Sequence, residues 1–185
     1  MQLEQLRSED TGRLAPARVA APLTLAYIGR LARETGIGEV VNGLRLACDG
    51  GVWPRLVIAG SGEDESCLRK LVERLQLSEQ VHFAGPVFAE ARLKILRHAD
   101  ISVLPRCGTG LLQTLHYSLL AGVPVIAPRT GTVSDAIVHK VHGLLVPSGD
   151  PAEYGRAMCQ LAADRELLAH MREACRAWPG ARASA

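Results

Sequence analysis

Six short apolar runs, spaced along the chain and separated by stretches of helical period, are the feature that most narrows what this sequence can fold into. They lie at 23–28, 55–59, 81–84, 101–104, 124–127 and 143–146. Each is too short for a buried helix and rich in Val, Ile and Leu, as strands buried on both faces are. In the stretches between them the period changes. Leu68, Leu71, Val72 and Leu75 fall at i, i+3, i+4 and i+7 on one helical face, which turns Lys70, Glu73 and Arg74 to water. Asp64 and Glu65 stand where acids suit the positive end of that helix. Helices are also expected near 38–47, 89–98, 111–121, 133–138 and 151–174.

Strand followed by helix, repeated, calls for right-handed crossovers between parallel strands. The predicted fold class is α/β: a doubly wound, Rossmann-like parallel sheet of about six strands with helices on both faces. Composition agrees, since 48% of residues are hydrophobic but only 4% aromatic, so the core rests on aliphatic side chains. The 185 residues suit one domain, expected over 22–178. Residues 1–21 show no sustained period and read as a tail or linker remnant, and 179–185 read as a second tail.

Several function classes are disfavoured. The formal charge is +2, with basic residues scattered among acids, so no nucleic-acid footprint appears. The five cysteines, Cys48, Cys67, Cys107, Cys159 and Cys175, contain no Cys-x-x-Cys pair, so neither a disulfide framework nor a metal site is expected. No apolar run is long enough to span a bilayer, and the N-terminus lacks a signal-peptide core. The expected location is cytoplasmic, with peripheral attachment at the inner membrane only through a partner.

In doubly wound sheets ligands bind beyond the carboxyl ends of the strands. Glycines gather there: Gly29 after the first run, Gly60 and Gly62 after the second, Gly85 after the third, Gly108 and Gly110 after the fourth. Any one of them is explained by a tight corner. Four sets at one edge point to a binding cleft.

Ordered strings carry a family resemblance. They are Tyr27-Ile28-Gly29-Arg30-Leu31, Leu56-Val57-Ile58-Ala59-Gly60-Ser61-Gly62, Val81-His82-Phe83-Ala84-Gly85, Ala99-Asp100-Ile101-Ser102-Val103-Leu104-Pro105, Ala121-Gly122-Val123-Pro124-Val125, and His142-Gly143-Leu144-Leu145-Val146-Pro147. From about residue 23 to 176 the chain resembles the C-terminal, donor-binding half of a two-domain GT-B glycosyltransferase, of the group often labelled glycosyltransferase group 1 or family 4. The resemblance implies one half of a GT-B fold and a nucleoside-diphosphate sugar as donor substrate, with no further cofactor and no metal. It also implies a partner: an N-terminal-half chain, or self-association to cover the open cleft wall.

The same resemblance assigns residues. Gly29 and Arg30 would meet the donor diphosphate, a guanidinium offering phosphate a planar fork of donors. Thr35 stands where the family has a lysine, with Arg33 the nearby cation to take its place. Gly108, Gly110 and Leu111 lead into a helix whose free N–H groups suit a phosphate. Thr109 and Tyr117 occupy the places of two glutamates that bind the sugar and the ribose, eight residues apart. Val87 falls in the segment that meets the base, and Asp135 matches a loop acid or a helix cap. His98 and His116 read as structural, and no residue is assigned a catalytic role.

Two functions follow. One is a glycosyltransferase donor domain acting with a missing half or partner chain. The alternative is a degenerate, non-catalytic binding or partner module, consistent with Thr35, Thr109 and Tyr117. A dehydrogenase is disfavoured, because no Gly-x-Gly-x-x-Gly opens the first helix.

Overall fold

The computed structural model of the chain describes residues 22–106 and 110–178. The segments read as tails therefore lie outside the described residues. The strands are β1 Thr24–Ile28, β2 Arg55–Ala59, β3 Val81–Gly85, β4 Ile101–Val103, β5 Val125–Pro128 and β6 Gly143–Val146. The helices are α1 Ile37–Asp49, α2 Glu65–Arg74, α3 Ala89–His98, α4 Leu111–Leu120, α5 Gly131–Ala136, α6 Pro151–Ala163 and α7 Arg165–Arg176. All the strand pairs are parallel, in the order β3-β2-β1-β4-β5-β6. This is the doubly wound α/β arrangement.

Alternation along β1 shows how the layers form. Leu25 and Tyr27 join a core with Val40, Val41 and Leu44 of α1 and Tyr154, Met158 and Leu161 of α6. Ala26 and Ile28 point the other way, to Leu96 of α3, Val123 and the partly buried Tyr117 of α4. A third cluster lies between β5, α4 and α5, around Leu111, Leu115, Val125 and Val133. Helix α2 packs as its period predicts, with Leu68 and Val72 buried and Lys70, Glu73 and Arg74 exposed.

Helices α1 and α6 cross at two glycines. A Cβ on Gly43 would lie 2.7 Å from the Pro151 carbonyl oxygen, and one on Gly155 would lie 2.9 Å from that of Gly43. Backbones this close admit no side chain between them. At the other end of the sheet, Asp100 accepts the Thr24 N–H at 2.8 Å and pairs with Arg172 at 3.4 Å, so the start of β1 is tied to the α3–β4 junction.

Two expectations are corrected and one element is added. The single helix over 151–174 is two, because Asp164 leaves helical geometry (φ −108°, ψ 83°) and its carboxylate caps α7 by accepting the Leu167 N–H at 2.8 Å. The helix expected at 133–138 runs Gly131–Ala136, since Ile137 is already extended. An additional 3₁₀ turn, Arg33–Thr35, was not foreseen, and Gly36 at φ 77° closes it.

Candidate functional site

The sheet reverses its winding between β1 and β4, the position at which doubly wound folds open a crevice. A cleft of about 600 Å³ lies there, at the carboxyl ends of β1, β2 and β4. Backbone hydrogen bonds fasten its floor: the Gly29 N–H donates to Ala59 at 3.0 Å, the Leu31 N–H to Ser61 at 3.0 Å and the Gly60 N–H to Gly85 at 2.7 Å. Gly60 has φ 149°, and a Cβ there would stand 1.8 Å from the Gly29 carbonyl oxygen, so no other residue fits.

Of the residues assigned from sequence, Gly29, Arg30, Thr35, Val87, Gly110 and Leu111 all line this cleft. Gly110 is the N-cap of α4, and among the described residues no side chain caps the helix, which leaves its first N–H groups to an anion. Arg30 is exposed and already partnered. Its Nη2 donates to Glu63 Oε1 at 2.7 Å and its Nε to Oε2 at 3.2 Å, and Glu34 lies 3.8 Å away. Glu63's own backbone amide, and next the Arg30 guanidinium, hold its carboxyl below the usual range. Thr35 spends its hydroxyl proton within the 3₁₀ turn, donating to the Ala32 carbonyl at 2.7 Å. The Tyr27 hydroxyl donates to the Arg30 carbonyl at 2.7 Å; burial pushes its pKa up, against a contact with Thr35 that lowers it.

Other assigned residues are elsewhere. Tyr117 packs against the apolar cluster of Ile28, Leu96 and Val123 and does not line the cleft. Arg33 is exposed and outside the lining, its backbone N–H held by Asp64. Asp135 is exposed in α5 and is not the N-cap of any described helix; Thr130, Asp150 and Asp164 take that place in α5, α6 and α7. His116 sits beside the Trp178 ring and His98 beside the Lys94 carbonyl. Gly108 and Thr109, with Cys107, lie outside the described residues.

The cleft also contains residues the sequence reading missed. Gln113 and Thr114 follow Gly110 by three and four positions and so share its helical face. The Thr114 hydroxyl donates to the Ile28 carbonyl at 3.3 Å, fixing α4 to the end of β1. Arg106 pairs with Glu39, and Arg92 reaches the cleft from α3. Behind the β4 loop, the buried Tyr154 hydroxyl donates to the Pro105 carbonyl at 2.6 Å. Among the described residues, no three His, Cys, Asp or Glu side chains gather as metal ligands, and no helix is long and apolar enough to cross a membrane.

Residues 22–164 match the sequence profile of the family described as glycosyl transferases group 1. A D-inositol 3-phosphate glycosyltransferase of Corynebacterium urealyticum is 27% identical over 176 residues, which are 90% of this chain and 41% of the relative. The chain thus spans about two-fifths of that relative's length. Among solved structures, Staphylococcus aureus TarM, in complex with fondaparinux, alpha-GlcNAc-glycerol and UDP, superposes with a TM-score of 0.76 at 19% identity, covering 95% of this chain and 37% of that one. The C-terminal domain of LpcC, a glycosyl transferase group 1 family protein of Francisella tularensis, gives 0.72 at 20% identity, with 83% and 82% covered. In fold, the doubly wound sheet matches these GT-B neighbours.

Proposed function

The chain belongs to the group 1 glycosyl transferases, and from that premise we propose that its cleft binds the diphosphate of a nucleotide-sugar and that the domain is the donor half of a sugar transferase. The observation that carries this reading is the meeting, across one cleft of about 600 Å³, of Gly29 and Arg30 at the end of β1 with the N-terminus of α4 at Gly110 and Leu111, which no side chain among the described residues caps. Both are positive, and they flank the space a diphosphate needs. UDP in the TarM complex supports a nucleoside diphosphate as the ligand class.

Sugar transfer builds negative charge on the departing diphosphate. A cation about 4 Å away, at an effective dielectric near 20, attracts that charge by roughly 4 kcal/mol. Arg30 supplies this charge once the incoming phosphate displaces Glu63, and the α4 N–H groups add donors aimed at the same oxygens. The chain assigns no base and no acceptor site. An acceptor half lying outside these residues completes the transferase, as the chain spans only 41% of the Corynebacterium urealyticum relative.

The second reading, a non-catalytic relative kept as a binding or partner module, is favoured by Tyr117, which packs into an apolar cluster outside the cleft lining.

Thermal unfolding against UDP, GDP, ADP and their sugars tests the proposal. Ligand at 100 times its dissociation constant stabilises by about 2.7 kcal/mol, roughly 5–10 °C for a domain of this size. A shift with one nucleotide, lost in Arg30→Ala, is the expected result. A folded protein that shifts with none of them sinks the donor reading and leaves the binding module.

A further inference from the structure

Among the described residues four charged side chains line the cleft: Arg30, Glu34, Arg92 and Arg106. Arg30 is paired with Glu63 and approached by Glu34, and Arg106 is paired with Glu39. Arg92 is the exception. Its Nε is buried with no hydrogen-bond partner, and among the described residues no carboxylate pairs with it.

The fold offers no reason for a cation at this position. Arg92 lies in the first turn of α3, where the helix dipole disfavours positive charge. It also continues the inward stripe of that helix: Ile95 is partly buried, and Leu96 and Ala99 are fully so, at i+3, i+4 and i+7 from Arg92. An aliphatic side chain would extend that stripe without leaving a buried donor unpaired, and native proteins rarely leave one. A charge held against the dipole, in an apolar stripe, with an unmet donor and open to the cleft, is arranged for a ligand.

We infer that Arg92 binds a phosphate oxygen of the nucleoside diphosphate, supplying the second cation that the chain lacks at Thr35; this rests on the donor reading above. The guanidinium suits the task because its fork offers paired donors to an oxyanion. Of the described cleft arginines it alone need not first release a carboxylate.

The test is calorimetric titration of the full chain with inorganic pyrophosphate, with UDP, GDP and ADP, and with uridine, guanosine and adenosine, comparing the unchanged protein with Arg92→Gln, Arg92→Lys and Arg30→Ala. Arg92→Gln is expected to weaken pyrophosphate and the bound diphosphate by about tenfold or more and to flatten the salt dependence, with Arg92→Lys recovering only part. Unliganded Arg92→Gln should melt no lower than the unchanged protein, because it removes a buried donor, the Arg92 Nε, that has no partner. Undiminished affinity in Arg92→Gln overturns the inference, and so does a loss that tracks a lowered melting temperature. Weakening of the nucleosides but not of pyrophosphate assigns Arg92 to the base and overturns the phosphate role. Loss of binding in Arg30→Ala alone leaves the donor reading standing without Arg92, whereas no binding by the unchanged protein removes both.

Discussion

At the scale of single residues, the cleft stands out for how its charges are matched. Glu63 lies 33 positions from Arg30, yet its two oxygens occupy the fork of donors that a phosphate would use. The pair is exposed, so solvent screens it and its exchange for a stronger anion is easy. Removing the carboxylate charge with Glu63→Gln frees the guanidinium and should raise diphosphate affinity by about threefold, read by calorimetry. An unchanged affinity would mean that the phosphate does not meet Arg30 at all. Thr35 offers no such reserve, because its hydroxyl proton is committed to the Ala32 carbonyl.

At the scale of elements, the α1–α6 contact holds the cleft from behind. Tyr154 of α6 bonds the loop after β4, and α6 can sit close enough only because Gly43 and Gly155 bring the two backbones together. Gly155→Val should force the helices apart and cost about 1–3 kcal/mol, seen as a lower denaturant midpoint. The β4 loop would shift with α6, so diphosphate affinity should fall as well. A variant of full stability would show that the helices slide past each other without penalty. The division between α6 and α7 has an equally local cause: Asp164 caps α7, so the chain turns before the stripe of Leu168, Met171 and Cys175 begins.

At the scale of the whole molecule, stability should depend on pH through the segment that guards the β6 edge. His139 Nδ1 accepts the Leu145 N–H at 3.0 Å, and His142 Nδ1 accepts the Val138 N–H at 3.2 Å. Burial lowers both pKa values, and the charges of Arg129 and Lys140 lower that of His139 further. The unfolded chain therefore takes up protons first, near pH 6.5, while the folded chain resists them. Stability is complete above that pH and falls as pH drops below it towards the lowered folded values. Both rings are partly exposed, so the melting temperature should fall by roughly 2–4 °C in total between pH 7.5 and 5. The double variant His139→Gln, His142→Gln should flatten the profile, and an unaltered slope would place its origin elsewhere.

The sequence by itself determined the six strands, six helical regions of which the last is broken at Asp164, the parallel sheet and the edge at which its glycines collect. These follow from side-chain periodicity and turn chemistry, which act between near neighbours and are written in consecutive residues. Gly29, Arg30, Gly110 and Leu111, assigned through the family resemblance, line the cleft, each standing at the end of a strand or the start of a helix. Only the tertiary structure decided that Glu63 meets Arg30, that Glu39 meets Arg106, that Tyr117 turns into an apolar cluster, and that Arg92 enters the cleft unpaired. Each depends on which loops the switch point between β1 and β4 brings side by side. No local period records a contact between residues that are distant in sequence, because it exists only once the sheet has been wound in both directions.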